Sequence, residues 1–299
     1  MGAEEIEGDE KVKKYALFLG CLIPQRLPSA ELATRKVFSS LGLEIADMSG
    51  YTCCPDPILA RLMDRKVALS LSARNLSIAE KQGLDVVVLC NGCFETLWEA
   101  NEALKQEETA GEINELLTKV GRKYGGTIKV RHIVEVLHED VGVEAIKERV
   151  KKPLNLKLAV HYGCHLFREE DGGDIWRKPR QFEELVRATG AEVIRCDLDQ
   201  MCCGFPTSQV DEEFSLKHNL LPKLKCYQHA GVDGVTVVCP ACNVQFESGQ
   251  LELRRYGEKF SVPCLHLVEL LALAFSVPAK ELSLEFHRSP VSQLAARIG

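Results

Sequence analysis

The chain has 299 residues, which is room for two domains of ordinary size, and 45% of them are hydrophobic, as in soluble globular proteins. The formal net charge is −6, but five acidic residues lie among the first ten positions, and the remainder of the chain is close to neutral. The chain has no basic surplus of the kind that nucleic-acid-binding proteins show. The sequence also contains no apolar run of the ~20 residues that span a bilayer and no secretory signal, so we expect a cytoplasmic protein.

The predicted elements alternate between strands and helices after an acidic segment, residues 1–13, which we interpret as a flexible tail. In the first half, strands are predicted at 14–20, 44–46 and 85–89, with helices at 29–41 and from 56 to about 82. In the second half, strands at 157–163, 192–195 and 235–238 repeat this order around helices at 178–189 and from about 211. This alternation predicts an α/β fold with one domain at 14–150 and a second at 151–299.

Ten of the thirteen cysteines form two copies of one pattern, in which a single cysteine precedes a vicinal pair and then a CxxC pair. The two sets are Cys21, Cys53, Cys54, Cys90 and Cys93, and Cys164, Cys202, Cys203, Cys239 and Cys242. The segments that lead into them also repeat, since KYALFLGC at 14–21 parallels KLAVHYGC at 157–164. The chain is therefore predicted to be an internal duplication of two similar domains.

The cysteines of each set are predicted to gather at one edge of a sheet. The single cysteine and the first cysteine of each CxxC pair follow predicted strands, and ligands of open α/β sheets lie beyond the carboxyl ends of strands. Cys54 and Cys93 precede predicted helix N-termini, whose N–H groups favour thiolates and anionic clusters. Five thiols are one more than a zinc ion or a cubane [4Fe–4S] cluster needs, which favours an iron–sulfur site of unusual shape in each half.

Other uses of these cysteines stay open at this point. CxxC pairs are frequent zinc ligands, although zinc ribbons use two such pairs and each half has only one. A thioredoxin-like redox CxxC would leave the vicinal pairs unexplained, and a secreted disulfide-rich protein would be shorter and carry a signal. The remaining cysteines, Cys196, Cys226 and Cys264, are predicted to be buried structural residues.

The repeated pattern resembles the CCG-domain family, which is named for a Cys-Cys-Gly core. Cys202-Cys203-Gly204 matches this core, and Cys53-Cys54-Pro55 keeps both thiols but not the glycine. Within the family, two such domains that span nearly the whole chain resemble the B subunits of heterodisulfide reductases. The resemblance implies two pseudo-symmetry-related, Rossmann-like α/β domains, each holding one non-cubane [4Fe–4S] cluster through the five cysteines of its set.

The same resemblance implies an oxidoreductase that reduces the mixed disulfide of coenzyme M and coenzyme B to two thiols, with the substrate between the clusters. It implies electron delivery by two other subunits of heterodisulfide reductase, a ferredoxin-like iron–sulfur protein and a flavin-containing protein, since this sequence has neither the ferredoxin cysteine motif nor a G-x-G-x-x-G motif. Two other interpretations stay open: an electron-transfer subunit of another oxidoreductase complex, and a related reductase that acts on a different disulfide or sulfur compound.

Polar residues near the first cysteine of each set are the candidates for contact with such a substrate. His165 is the predicted proton donor, with a hydrogen-bonded structural role as the alternative. Arg26 and Arg168 are the predicted contacts to a sulfonate, phosphate or carboxylate group, because a guanidinium pairs with such groups through two hydrogen bonds. Lys178 is a third basic residue of the same region, interpreted as a loop residue at the boundary of the helix predicted at 178–189.

Two further histidines occupy matching places in the repeat. His132 lies in RHIVEVL at 131–137, and His266 lies in LHLVELL at 265–271. Both are predicted to be hydrogen-bonded core residues on apolar helix faces.

Overall fold

The structure, a computed structural model, describes residues 12–58, 62, 64–167 and 173–298. Most of the predicted acidic tail therefore lies outside the described residues. The described residues form two four-stranded sheets, one from each half of the chain, and every strand pair in them is parallel. The predicted α/β duplication is thus confirmed.

The first sheet has the strand order β2-β1-β3-β4. Its strands are β1 (Lys14–Phe18), β2 (Glu44–Asp47), β3 (Val86–Val88) and β4 (Val130–His132). The helices of this half are α1 (Leu22–Arg26), α2 (Pro28–Ser40), α3 (Arg65–Lys81), α4 (Asn91–Ala103), α5 (Glu107–Thr118), α6 (Ile133–Glu135), which continues as a π-helical turn (Val136–Val141), and α7 (Val143–Arg149).

The second sheet repeats this order as β6-β5-β7-β8. Its strands are β5 (Lys157–His161), β6 (Glu192–Ile194), β7 (Gly234–Val237) and β8 (Cys264–His266). The helices are α8 (Arg177–Ala188), α9 (Phe205–Ser208), α10 (Glu212–Phe214), a π-helical turn (Ser215–Leu220), α11 (Leu221–His229), α12 (Pro240–Glu252), α13 (Leu267–Ala274) and α14 (Val291–Ile298), and short 3-10 turns lie at Cys164–Leu166, Leu253–Tyr256, Ala279–Glu281 and Leu284–Phe286.

The central strands are mostly apolar and mostly buried, as expected where helices cover both faces of a parallel sheet. All residues of β3 and β7 are buried, as are four of the five residues of β1 and of β5. This is the pattern of parallel strands in doubly covered sheets. No helix among the described residues combines the length and the apolar character that a membrane span requires.

Helices of the two halves pack against each other across the interface. Helix α2 of the first half packs against α13 of the second, while α8 of the second half packs against α6 and the turn that follows it in the first. Both apolar cores accordingly contain residues of both sheets, such as Leu17 with Leu158 in one and Phe18 with Val235 in the other. The halves are therefore packed as one body.

Several sequence-based expectations differ from the structure. Strands β4 and β8 are absent from the predictions, because a three-residue strand that runs directly into a helix shows no periodicity of its own. His132 and His266 end these strands and are the N-caps of α6 and α13, so their placement on helix faces was wrong. Lys178 lies in helix α8, not in a loop, and is buried.

Candidate functional site

A glycine before the first cysteine of each set lets the end of a central strand approach a CxxC cysteine. Gly20 has φ +67°, and a Cβ atom there would lie 2.8 Å from Cys93 Sγ. Gly163 has φ +74°, and a Cβ atom there would lie 3.5 Å from Cys242 Sγ. A side chain at position 20 would collide with the Cys93 thiol, whereas at position 163 it would only touch the Cys242 thiol, so the close approach of strand end and thiol requires glycine at Gly20 in particular.

The CxxC pairs begin the helices that follow the central strands. Cys90 and Cys239 are the N-caps of α4 and α12, with nearly identical extended backbone angles of −139°, 125° and −140°, 122°. Cys93 and Cys242 lie in the first turn of these helices. The four N–H groups of a first helical turn lack intrahelical acceptors, so both pairs lie where the backbone favours negative charge.

The vicinal pair of the first half is held by helix α3. The Asn75 side chain donates from Nδ2 to the carbonyl of Cys53 at 3.0 Å, and Ser72 Oγ donates to the carbonyl of Cys54 at 2.9 Å. Both Asn75 and Ser72 are fully buried. Their two side chains fix the backbone of both cysteines by local hydrogen bonds.

The vicinal pair of the second half is held by a glycine turn. Gly204 has φ +93° and donates its N–H to Cys202 Sγ at 3.4 Å. Its carbonyl accepts from Ser215 Oγ at 2.7 Å, and a Cβ atom at this glycine would lie 2.4 Å from that hydroxyl. The glycine of the CCG core is therefore required by its backbone angle and by close packing together.

The ten cysteines form one continuous line of interacting thiols. Each thiol interacts with the next one in the order Cys21, Cys53, Cys54, Cys93, Cys90, Cys239, Cys242, Cys203, Cys202, Cys164. The two sets meet at their CxxC pairs, where Cys90 Sγ and Cys239 Sγ are 3.8 Å apart and buried. The single cysteines at the two ends of the line are exposed.

Contacts between the thiols make their acidity unequal. Hydrogen bonds from Cys53 and Cys93 lower the pKa of Cys54 to about 5. Hydrogen bonds from Cys164 and Cys203 likewise lower the pKa of Cys202 far below its ordinary value, whereas the pKa of Cys164 is raised because its thiol is the donor. Thiolate sulfur is the form that binds iron, and a donor set of soft sulfur atoms fits an iron–sulfur cluster.

His165 lies at the interface between the halves, as part of the turn that begins at Cys164. Its Nδ1 atom is paired with Glu95 Oε2 on helix α4 of the first half. Burial alone would lower the pKa of His165, but the hydrogen bond and charge of Glu95 outweigh it and raise the pKa. The predicted proton donor therefore has an acidic partner, which the sequence did not suggest.

His161, at the end of β5, belongs to the site although the sequence analysis did not single it out. A ring nitrogen of His161 lies within 4.8 Å of both Cys203 Sγ and Cys242 Sγ. Only 1% of the residue is exposed, and burial lowers its pKa to about 3. The signal in the sequence was its place in the repeat, where the first half has Phe18.

His266 links the second half to the strand end that carries Cys90. Its Nδ1 atom accepts from the N–H of Val268 at 3.4 Å, which leaves the proton on Nε2, and Nε2 donates to the carbonyl of Leu89 at 3.0 Å. Burial lowers the pKa of His266, so the ring is neutral. This histidine is a hydrogen-bonded core residue, as expected, and it fixes the residue directly before a CxxC pair.

The predicted basic residues differ in their surroundings. Arg26 is exposed at the end of α1, a helix that packs against α12 of the other half. Arg168 lies outside the described residues. Lys178 is paired with Glu135 Oε1 at 3.3 Å and lies 5.0 Å from the centre of the Phe94 ring, so its charge is neutralised inside the protein.

The three cysteines outside the two sets are set apart from the line of thiols. Cys196 and Cys226 are only half-buried and form a disulfide bond with each other, so the prediction of buried free cysteines was wrong for both. Cys264 on β8 is fully buried, and its sulfur accepts from Asn243 Nδ2 at 3.4 Å. Cys264 is thus a buried core residue, as predicted.

Comparison with known proteins gives one family. The family of cysteine-rich domains abbreviated CCG matches residues 15–97 and 158–247, one segment in each half. The B subunit of the ferredoxin/F420H2-dependent CoB-CoM heterodisulfide reductase of Methanosarcina acetivorans is 37% identical over 294 residues, which is 95% of this chain and 97% of the relative. The described CxxC helices and strand ends all lie within this aligned length.

Two further similarities extend the comparison. A protein of Wolinella succinogenes, the membrane anchor subunit of 8-methylmenaquinol:fumarate reductase, is 34% identical over 92% of this chain and 96% of its own length. The crystal structure of a hypothetical protein from Helicobacter pylori superposes with a TM-score of 0.71 at 17% identity, covering 92% of this chain and 51% of that one. The last similarity concerns the fold alone.

Proposed function

Because the chain belongs to the family of cysteine-rich CCG-domain proteins, with one match in each half, we propose that it is the disulfide-reducing subunit of a heterodisulfide reductase. The proposed substrate is the mixed disulfide of coenzyme M and coenzyme B, after which the Methanosarcina relative is named. The observation that carries the proposal is the single line of ten thiols that crosses the interface between the halves.

The proposed ligands are the five cysteines of each set, and each half would hold one non-cubane [4Fe–4S] cluster. A tetrahedral zinc site or a cubane cluster would leave one thiol of each set unused. When bound, the two clusters supply the two electrons that the reaction consumes. The domains that hold them would be residues 14–150 and 151–299, since one full set lies in each.

The reaction requires protons as well as electrons. Two electrons and two protons break one S–S bond and form two S–H bonds. The His165 ring, held through Nδ1 by Glu95, leaves Nε2 for proton transfer to a sulfur at the interface. The exposed Arg26 would hold an anionic group of the substrate, and Arg168 would do the same in the other half. Both arginines follow the first cysteine of a set in the sequence, which supports a shared role.

Electrons would come from partner proteins. The proposed partners are the ferredoxin-like iron–sulfur protein and the flavin-containing protein of a heterodisulfide reductase complex, as the similarity to subunits of such complexes suggests. The isolated chain would then reduce the disulfide with an artificial donor such as a reduced viologen, but not with a reduced nicotinamide cofactor.

The test measures iron, sulfide and thiol production in the anaerobically purified chain. We expect about eight irons, four for each five-cysteine set, and disulfide reduction with reduced viologen. Cys54→Ala and Cys203→Ala should each disturb the cluster of their own half, and each should abolish most of the activity. The matched control is Cys264→Ala, a buried cysteine outside both sets, which should keep the iron content and the activity.

One further variant tests the proton donor in the same assay. His165→Gln should keep the iron content and lower the turnover by about 10²-fold, the usual contribution of general acid–base catalysis. A protein that contains zinc, or a Cys54→Ala variant that has lost its first cluster and still reduces the disulfide at the full rate, would contradict the two-cluster proposal.

A second candidate function is electron transfer within another oxidoreductase complex. It is favoured by the Wolinella relative, which is named as part of a fumarate reductase and whose identity of 34% is close to that of the Methanosarcina relative. Thiol production by the isolated chain separates the two candidates. An electron-transfer subunit would accept electrons from reduced viologen and form no thiol from any disulfide offered.

A further inference from the structure

The two cysteine sets are alike, but the residues beside them differ at one matched position. Phe18 on β1 pairs in register with Val88, two residues before Cys90. His161 on β5 pairs in register with Val237, two residues before Cys239. The duplicated fold therefore puts a phenyl ring at the first site and an imidazole ring at the second.

The imidazole of His161 lacks hydrogen bonds. Both of its ring nitrogens are buried and have no hydrogen-bond partner among the described residues. The ring of Phe246 contacts it at a centroid distance of 5.1 Å, and Cys203 and Cys242 are the sulfur ligands beside it. A buried polar group without a partner is unfavourable, so the N–H of this ring requires an acceptor that the described residues do not provide.

We propose that His161 donates a hydrogen bond to a sulfur atom of the cluster in the second half and thereby gives this cluster a higher reduction potential than the cluster in the first half. The inference rests on the proposed binding of clusters. An imidazole carries an N–H donor in either of its protonation states, so the inference does not depend on its titration.

The direction of the effect follows from charge. Reduction adds negative charge to a cluster, and a hydrogen bond to its sulfur atoms stabilises the reduced form more than the oxidised form. Phe18 offers no donor, and it packs against Tyr51 at a centroid distance of 4.9 Å. The buried ammonium of Lys223, which donates to the carbonyl of Leu198, adds a positive charge to the same half and also favours the reduced form there.

The consequence is a fixed order of reduction. The first electron that enters the protein would rest in the second half, where His165 also lies. The cluster of the first half would then be reduced second, at a lower potential. Duplication would thus have produced two sites with different tasks.

The experiment exchanges the two residues. In His161→Phe the second site receives the residue of the first, and in Phe18→His the first site receives the residue of the second. The potentials of both clusters are measured by redox titration followed by electron paramagnetic resonance in the full chain, and each signal is assigned by its loss in Cys54→Ala or Cys203→Ala. Pulsed resonance on protein with ¹⁵N-labelled histidine reports the contact directly.

We expect His161→Phe to retain the iron content of the wild type and to lower the equilibrium constant for reduction of the second cluster roughly tenfold, which is about 59 mV for one electron. The first cluster should be unchanged. His161→Gln keeps a hydrogen-bond donor, so the potential of its second cluster should lie between those of His161→Phe and the wild type. This variant provides the measurement if His161→Phe does not fold. Phe18→His should raise the potential of the first cluster.

Three results would overturn the inference. The first is an unchanged second potential in His161→Phe and His161→Gln. The second is loss of half of the iron in both variants, which would make His161 an iron ligand. The third is the absence of a weak ¹⁵N coupling at the second cluster of the wild-type protein. A wild-type chain that binds no second cluster would instead contradict the proposed function, so the two failures are distinguishable.

Discussion

At the residue scale, a buried cluster of one histidine and two glutamates is connected to the site through hydrogen bonds. His287 Nδ1 and Nε2 bind Glu247 Oε1 at 2.8 Å and Glu269 Oε1 at 3.0 Å, and its side chain has no exposed surface. The other oxygen of Glu269 accepts from the N–H of His266 at 2.7 Å. His266 in turn holds the carbonyl of Leu89, so this cluster is connected to the strand end that carries the first CxxC pair.

We predict that His287→Ala destabilises the protein by about 3–5 kcal/mol, because it leaves two buried carboxylates without their cation. Burial would lower the pKa of His287, but the charges of Glu269 and Glu247 raise it from 6.5 to about 10. Since the folded pKa is raised, this stability is fully present below pH 6.5 and is lost as the pH rises towards about 10.

Urea unfolding at several pH values checks this prediction. The wild-type free energy of unfolding should fall across that alkaline range, and His287→Ala should remove most of the fall. The exposed His229 provides the control, since His229→Ala should change neither the stability nor its pH profile. Equal slopes in wild type and His287→Ala would show that the histidine is neutral in the folded protein.

At the element scale, the sequence predicted the elements that have a clear period and missed those that do not. The strand predicted at 14–20 is β1 at Lys14–Phe18, and the helix predicted at 29–41 is α2 at Pro28–Ser40. The strand ends that carry the cysteines were placed correctly, because apolar runs that end at a cysteine mark them. The packing of α2 on α13 across the interface could not be predicted, since neither helix sequence states which element covers it.

The same limit applied to the site. The ten cysteines were recognisable from spacing alone, but the contact between Cys90 and Cys239 depends on how the halves pack. Glu95 was missed because its partner, His165, is distant in the sequence and comes from the other half. His161 was missed because a single histidine in an apolar strand is usually a core residue.

We predict that Gly163→Ala destabilises the protein more than Gly83→Ala. Both glycines have positive φ, and both variants would be strained in that conformation. A Cβ atom at Gly83 meets nothing within 4 Å, whereas a Cβ atom at Gly163 would lie 2.6 Å from Asn91 Nδ2, which donates to the carbonyl of Tyr162 across the interface. The methyl group would therefore also break a contact between the halves.

Urea midpoints of the two variants and the wild type check this difference. Gly83→Ala should lower the free energy of unfolding by about 1–2 kcal/mol, and Gly163→Ala by at least about 1 kcal/mol more, the desolvation cost of an amide that loses its acceptor. If both variants lose the same stability, the interface at Asn91 adjusts without cost.

At the scale of the whole molecule, the shared cores make each half depend on the other. Helix α13 buries all eight of its residues, and its largest contact is with α2 of the first half. If the chain were cut at the predicted boundary between residues 150 and 151, one fragment would expose the apolar surface of α13 and the other would expose the surface of α2 that packs on it.

We predict that residues 1–150 and 151–299 aggregate when each is produced alone and form a soluble complex when produced together. The physical reason is the apolar surface that each fragment would expose, which favours association. Size-exclusion chromatography of the single and co-produced fragments provides the measurement. Two fragments that are monomeric, soluble and cooperatively unfolding on their own would show that the halves are independent domains.

The reciprocal packing of α2 on α13 and of α8 on α6 has the geometry of a symmetric dimer, in which the same surface of each copy contacts the other. A dimer of two identical polypeptides must carry the same residue at both of its sites, because one gene encodes both. Joined in one chain, the copies are free to diverge, and a phenylalanine can stand at one site while a histidine stands at the other. Covalent fusion thus gives a molecule that keeps the architecture of a symmetric dimer while its two sites carry different residues.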